Sequence, residues 1–166
     1  MDQKIALFRE NIPKLRVLQS KTKDQPKISF YSGQEAIRKI YNSMKIIQNW
    51  SGFFDPSVFD VENDSLVELK ELCWSIGETL SSQKRYARDI IVDSKTGRLF
   101  RNQFASETYQ IRMIEINPFA SDIILFPDKV FLISYSQEMQ LLEIQNESIA
   151  RMQLTMYDAL WESLRK

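Results

Sequence analysis

One segment, ISFYSGQEAIRKIYNSM from Ile28 to Met44, combines the patterns of a strand, a turn and a helix. Its apolar start, from Ile28 to Tyr31, predicts a buried interior strand. Gly33 permits a tight turn, because glycine adopts backbone angles that other residues avoid. Beyond this turn, apolar residues recur at helical spacing as far as Met44. The folded domain is therefore expected to open with a strand followed directly by a helix.

The rest of the chain changes from alternating strands and helices to a series of strands separated by turns. A short strand is predicted after Trp50 and ends at Pro56, and Asn146 predicts the cap of a closing helix in which Met152 and Met156 are buried. The other predicted elements are helices over 65–83 and 99–104 and strands over 87–92, 110–116, 122–126, 129–135 and 140–145. This order predicts an α/β fold in which a mixed sheet is flanked by helices.

Composition and charge indicate one soluble domain. The chain has 166 residues, 43% of them apolar, with 22 basic and 22 acidic side chains. Balanced charge gives no electrostatic reason for this chain alone to bind a nucleic acid backbone. The sequence has no apolar leader and no run of about 20 apolar residues that could span a bilayer. Cys73 is the only cysteine, so no intrachain disulfide can form. We expect a cytoplasmic protein with no membrane partner.

The absence of histidine excludes several classes of catalytic site. Without an imidazole, the chain cannot build a Ser-His-Asp triad, a Cys-His pair or an ordinary zinc site. Its four glycines are too dispersed for a Walker loop or a dinucleotide fingerprint. We therefore predict no cofactor, no metal site and no enzyme activity.

Acidic residues leave one alternative function open. Asp55 and Asp60 could serve acid–base chemistry or bind magnesium, although such residues are common on solvated turns. The segment from Asp60 to Glu71 faintly resembles a calcium loop, but Ser65 stands where that loop needs glycine. An acidic loop before a capped helix is the favoured interpretation, and a carboxylate- and magnesium-dependent enzyme is the alternative.

The first residues form a separate segment. Ile5, Phe8, Ile12 and Leu15 follow a short heptad-like spacing that Pro13 interrupts, and a polar stretch follows. We divide the chain into a helical connector and dimerisation segment over 1–25 and a folded domain over 26–166. Because a short isolated helix is marginal in water, its apolar residues should pack on a second copy of the chain and form a homodimer. Packing within one chain is the alternative.

Five short motifs, in this order, resemble the effector domain of TrmB-like transcriptional regulators over about residues 10 to 165. They are Ile12-Pro13-Lys14-Leu15, Phe30-Tyr31-Ser32-Gly33-Gln34-Glu35-Ala36-Ile37, Lys84-Arg85, Asp128-Lys129-Val130 and Leu160-Trp161. The usual tetrapeptide of the family after the first strand is Phe-Tyr-Glu-Gly, from which Ser32 departs. The resemblance implies one half of a phospholipase D-like fold and, as in several members, the sensing of sugars. DNA contact would come only through an N-terminal winged helix, which this sequence lacks.

The resemblance also implies which catalytic residues to look for. A phospholipase D half uses His-x-Lys followed by an aspartate, because the imidazole attacks phosphate and the lysine neutralises its charge. If Asp128 is that aspartate, Ser121 and Ile123 stand where histidine and lysine belong. The implied function is a noncatalytic, dimerising domain that senses a sugar or sugar phosphate. A pure oligomerisation module is a further alternative.

The ligand site is predicted from the expected architecture. Ligands of α/β sheets bind outside the carboxyl ends of the strands. Trp50 and Phe53 could stack on a sugar ring while Asp55 accepts hydrogen bonds from hydroxyl groups, although both aromatic residues could instead fill the core. A basic cluster over 84–88 could hold a phosphate or form a solvated turn. The predicted ligand-binding residues are Ser32, Gly33, Trp50, Phe53, Asp55 and Asp93.

Overall fold

The computed structural model describes residues 25–46, 49–60, 67–83, 86–118, 120–135 and 139–164. The predicted connector up to residue 24, the predicted helix start at Ser65 and the Lys84-Arg85 pair lie outside these residues. Within the described ranges, no helix combines the length and apolar character needed to cross a bilayer.

Seven strands and four helices make up the described domain, with a short 3-10 helix after the second strand. In chain order they are β1 (Lys27–Ser32), α1 (Gly33–Ile46), β2 (Asn49–Phe54), the 3-10 helix (Pro56–Phe59), α2 (Val67–Gln83), β3 (Tyr86–Val92), α3 (Lys95–Phe104), β4 (Tyr109–Ile114), β5 (Ser121–Leu125), β6 (Lys129–Tyr135), β7 (Met139–Gln145) and α4 (Glu147–Ser163). The predicted mixed α/β sheet flanked by helices is confirmed.

The strands form one sheet in the order β1-β7-β6-β5-β2-β3-β4. β2, β3 and β4 are parallel, which is possible because α2 and α3 carry the chain back between them. The other neighbouring strands pair antiparallel. As a result, β1, β2, β3, β4 and β6 all end at the same side of the sheet, which we call the carboxyl edge.

The position of β1 differs from the sequence prediction. This strand pairs with β7 and lies at one end of the sheet, so the predicted interior strand is wrong. Ile28 and Phe30 are 64% and 61% exposed. Tyr31 points to the other face, where its hydroxyl donates to Glu143 Oε2 at 3.1 Å. Apolar and aromatic residues favour the pleated strand conformation even at a sheet edge, so their composition did not reveal the exposure.

The two faces of the sheet carry separate cores, because successive strand residues point to opposite sides. Helices α1, α2 and α3 cover one face, where Phe54, Ile91 and Phe100 belong to the larger apolar cluster. Helix α4 covers the other face and packs against a smaller cluster that includes Ile90 and Val130. Both faces are therefore covered, as the sequence predicted.

Helix α4 begins as predicted but turns a different side to the sheet. The Asn146 side chain caps it by accepting a hydrogen bond from the Ile149 N–H at 2.9 Å. Met152 and Met156 are 52% and 62% exposed, so their predicted burial is wrong. The buried residues are Ala150, Tyr157 and Trp161. These three share one helical face by their spacing of seven and four, whereas the two methionines lie on the opposite side.

Candidate functional site

Asp55 lies at the carboxyl edge, immediately after β2, and is fully buried. Its Oδ1 accepts hydrogen bonds from the backbone N–H and the hydroxyl of Ser57, and so caps the 3-10 helix. Its Oδ2 accepts from the Ala120 N–H at 3.1 Å. Both carboxylate oxygens are thus held by donors from two different loops. The position predicted for Asp55 from the sequence, at the end of a strand, is the one that it occupies.

Asp122 lies beside Asp55 at the start of β5. Its Oδ1 accepts from the Asp55 N–H at 3.0 Å, and its Oδ2 accepts from the Tyr135 hydroxyl. Burial raises the pKa of Asp122 to about 8, although the hydrogen bond from Tyr135 opposes that rise. Asp55, Asp122 and Tyr135 therefore form a connected buried cluster, which we call the edge cluster.

A cavity of about 60 Å³ lies between the sheet and helices α1, α2 and α3. We call it the sheet cavity. Asp122 and Tyr135 of the edge cluster belong to its lining, so the cavity reaches the carboxyl edge. The other polar or titratable side chains in the lining are Trp50, Cys73, Asp89 and Tyr109. Its remaining walls are mostly apolar, which gives the few polar groups a low-dielectric setting.

A second buried acid lies in this cavity. The Tyr109 hydroxyl donates to Asp89 Oδ2. Burial raises the pKa of Asp89 to about 7, against the lowering effect of that hydrogen bond. Gly52 pairs with Asp89 across β2 and β3, and a Cβ at Gly52 would collide with Asp89 Oδ1. The glycine therefore makes room for the acid.

Sequence reasoning missed Asp89 and Asp122. Each is a single acidic residue within a strand that is otherwise largely apolar, a position that predicts burial. A buried carboxyl group needs hydrogen-bond partners, and two tyrosines at the start of β4 and the end of β6 supply them. The signal was a single acidic residue in a largely apolar strand.

The two predicted stacking residues point to opposite faces of the sheet. Trp50 is 7% exposed and lines the sheet cavity, with its ring centroid 6.2 Å from that of Tyr109. The Phe53 side chain packs against the cluster under α4. Residues three apart in a strand face opposite ways, so one sugar ring cannot stack on both side chains.

The remaining predicted site residues are spread along the carboxyl edge. Ser32 ends β1 and Gly33 begins α1. β1 lies four strand positions from β2, which corresponds to about 19 Å at the usual strand spacing. Gly33 has a φ of 51°, as its predicted turn requires. Asp93 follows β3, next to β2, and its Oδ1 pairs with Arg98 Nε at 2.6 Å. Asp55 and Asp93 are thus the predicted acids on neighbouring strands.

Arg88, the described basic residue of the 84–88 cluster, contacts helix α4. Its guanidinium pairs with Asp158 at 2.8 Å and lies 5.6 Å from the ring centroid of Trp161. The Tyr157 hydroxyl donates to the Arg88 carbonyl oxygen at 2.8 Å. Arg112 lies over the same Trp161 ring at 4.0 Å. These cation–π and ion contacts hold α4 against β3 and β4.

Across the described ranges, no group of three or more histidine, cysteine, aspartate or glutamate side chains is arranged to hold a metal ion. The two carboxyl groups of the edge cluster instead accept hydrogen bonds from the protein itself.

Comparison with known proteins identifies the fold. No protein-family model and no curated protein matches the sequence. Among solved structures, the chain is similar to TrmBL2, an archaeal chromatin protein, with a TM-score of 0.53 and 12% identity over 99% of this chain and 61% of that one. It is also similar to Nuc from Salmonella typhimurium, a phospholipase D family member, with a TM-score of 0.60 and 10% identity over 83% of this chain and 95% of Nuc.

A third similar structure is NucT from Helicobacter pylori, with a TM-score of 0.53 and 11% identity over 84% of this chain and 98% of that one. The present chain spans 61% of the length of TrmBL2 but nearly the whole of Nuc and NucT. The resemblance seen in the sequence is confirmed at the level of the fold. The chain has a phospholipase D-like fold, shared with the chromatin protein TrmBL2 and with Nuc and NucT.

Proposed function

We propose that this chain is a noncatalytic, ligand-sensing and dimerising domain of a TrmB-like transcriptional regulator. One observation carries the proposal: a phospholipase D-like fold is built from a sequence that contains no histidine. The resemblance implies a histidine nucleophile for this fold's phosphodiester chemistry. If Asp128 is the aspartate of that motif, Ser121 and Ile123 stand where its histidine and lysine belong. A phospholipase D-like domain that lacks the catalytic histidine can still bind a ligand.

The edge cluster supports the same proposal. A general acid or base must be able to reach a substrate proton. Asp55 is fully buried and its two carboxylate oxygens accept hydrogen bonds from Ser57 and Ala120. Asp122 is likewise held by the Asp55 N–H and the Tyr135 hydroxyl. These acids stabilise the loops of the carboxyl edge, which favours a structural role over a catalytic one.

The proposed ligand is a sugar or sugar phosphate bound along the carboxyl edge. Of the two predicted acids, Asp93 is more accessible than Asp55: the Asp93 side chain is 20% exposed, whereas Asp55 is fully buried. The ion pair with Arg98 lowers the pKa of Asp93, which keeps it ionised and able to accept hydroxyl hydrogen bonds. We propose Asp93 as the contact that carries this binding. Of the other predicted residues, Ser32 and Gly33 lie four strands from β2, and Trp50, Phe53 and Asp55 have side chains that pack in the two cores or accept hydrogen bonds from the protein itself.

A bound ligand should raise the melting temperature. At a ligand concentration of about 100 times Kd, mass action adds about 2.7 kcal/mol, or about 5–10 °C for a domain of this size. Scanning fluorimetry against a panel of sugars and sugar phosphates measures this shift. Asp93→Asn should reduce the shift caused by the active compound, whereas Asp128→Asn, in the turn at the opposite end of the sheet, is the matched control. No shift across the panel would favour the oligomerisation module.

The other proposed partner is a second copy of the chain. DNA contact is assigned to a winged helix outside this sequence, and the proposed compartment is the cytoplasm.

Replacing Phe8 and Ile12 by serine should shift the sedimenting species from dimer to monomer, because both belong to the apolar residues of the connector that are proposed to form the dimer contact. Lys14→Ser is the control and should remain dimeric. A wild-type protein that sediments as a monomer at high micromolar concentration would contradict the dimer.

A further inference from the structure

Among the described residues, one oxygen of a buried acid in the sheet cavity has no hydrogen-bond partner. Asp89 is 3% exposed, and Tyr109 supplies a donor to its Oδ2, but no donor among the described residues reaches Oδ1. That oxygen lies above Gly52, which itself lines the cavity. Buried polar atoms in folded proteins nearly always have a hydrogen-bond partner, because they lose their hydration without compensation otherwise. The missing partner is therefore expected to come from a molecule in the cavity.

A second polar atom in the same lining has no hydrogen-bond partner in the described part of the chain. Trp50 is 7% exposed, and no acceptor within the described part of the chain reaches its Nε1. Asp89 Oδ1 needs a donor when its carboxyl group is ionised and an acceptor when that oxygen carries the proton, whereas the indole N–H needs an acceptor. A hydroxyl group supplies both, since its hydrogen donates and its oxygen accepts. Tyr109 and Tyr135 also line the cavity, and their hydroxyl groups donate to Asp89 and Asp122.

The size of the cavity limits what can enter. An engineered apolar cavity of about 150 Å³ accepts benzene, and each water molecule takes about 30 Å³ in the liquid. A cavity of about 60 Å³ therefore has room for about two water molecules, or for one alcohol of about the same size as two water molecules. Purely apolar cavities stay dry, but the polar atoms of Asp89 and Trp50 give this one the partners that an oxygen-bearing molecule needs.

We propose that the sheet cavity is a binding site for a small neutral hydroxyl compound. A bound hydroxyl group forms a hydrogen bond with Asp89 Oδ1, as donor to the ionised carboxyl group or acceptor from the protonated one, and bound oxygen accepts from Trp50 Nε1. Water and a small alcohol share this chemistry and are the two possible sources. Because residues from α1, α2, α3 and six strands line the cavity, the bound group stabilises the contact between the sheet and three helices. The site depends neither on the regulatory proposal nor on a dimer.

Nuclear magnetic resonance of the ¹⁵N-labelled full chain tests this site. The three tryptophans give three indole signals, and Trp50→Phe identifies the one from Trp50. If water fills the cavity, we expect a rotating-frame nuclear Overhauser cross-peak between water and the Trp50 indole hydrogen. If ethanol is the better occupant, titrating it should shift the Trp50 signal saturably and remove the water cross-peak. The Trp161 signal is the internal control and should not respond.

Two variants test whether these signals come from a molecule in the cavity or from water at the protein surface. Asp89→Val removes the carboxyl group and should abolish the water cross-peak or the ethanol shift. Cys73→Met, which fills the cavity from its α2 wall, should have the same effect if Asp89→Val does not fold. Wild-type protein that shows neither a water cross-peak nor a saturable ethanol shift at Trp50 would overturn the proposal. So would a xenon-induced shift at Trp50 without any water cross-peak, because it would show a dry cavity.

Discussion

The free energy of unfolding is expected to fall by several kcal/mol between pH 5 and pH 8.5. Burial raises the pKa of Asp89 to about 7 and that of Asp122 to about 8, whereas an unfolded aspartate titrates near 3.9. The native protein therefore keeps two protons that the unfolded chain releases. Stability is full below the unfolded pKa and is lost as the pH rises through the two native values. Each pKa unit corresponds to about 1.4 kcal/mol.

Urea unfolding at a series of pH values between 5 and 8.5 measures this loss. Asp89→Asn and Asp122→Asn keep the shape of the side chain without the titrating group, so each should flatten the profile. Asp93→Asn is the control. The pKa of Asp93 is lowered by Arg98, so this acid titrates below the tested range and the variant should keep the wild-type slope. If the variant that carries both Asp89→Asn and Asp122→Asn kept the wild-type dependence of unfolding free energy on pH, these two acids would not be its source.

Removal of the Glu143 carboxylate is expected to be the most damaging single change. Glu143 is 1% exposed, and Lys39 and Lys129 reach its oxygens at 2.9 Å and 3.5 Å. Its pKa is lowered because the hydrogen bonds from Lys39 and Tyr31 outweigh the opposing effect of burial. Glu143→Ala leaves Lys129, which is itself buried, without its counter-charge. Breaking such a buried pair costs about 3–5 kcal/mol.

Equilibrium unfolding in urea at pH 7 gives this cost directly. Glu147→Ala is the matched control, because Glu147 forms an exposed ion pair with Arg151 one helical turn away. Such pairs contribute only about 0.3–0.5 kcal/mol. The double variant Glu143→Leu with Lys129→Met should recover most of the loss, since an apolar pair needs no counter-charge. A cost below about 1 kcal/mol for Glu143→Ala would mean that Lys129 is solvated in the native protein.

Local periodicity predicted most of the fold. The strand predicted over 129–135 has the same bounds in β6, and Asn146 caps α4 as expected. These features depend on neighbouring residues alone. The place of β1 in the sheet depends on its pairing with β7, more than a hundred residues later, and no local pattern contains that information. The same holds for the side of α4 that faces the sheet.

The candidate site was predicted less well, for a related reason. Asp55 follows a strand, so its place at the carboxyl edge could be read from the order of elements. Asp89 looked like part of an ordinary strand. Its role depends on the register that sets it beside Gly52 and on Tyr109 from the next strand. Such contacts between strands become visible only when the sheet order and register are known.

Phosphodiester cleavage tests most directly whether this phospholipase D-like chain is noncatalytic. The protein is incubated with bis(p-nitrophenyl) phosphate between pH 5 and 9, with and without magnesium, beside Asp55→Asn as the matched variant. Release of p-nitrophenol no faster than in buffer, and unchanged by the variant, is the predicted result. Cleavage well above buffer that Asp55→Asn abolishes, in a variant whose circular dichroism matches the wild type, would contradict the proposal and establish an enzyme.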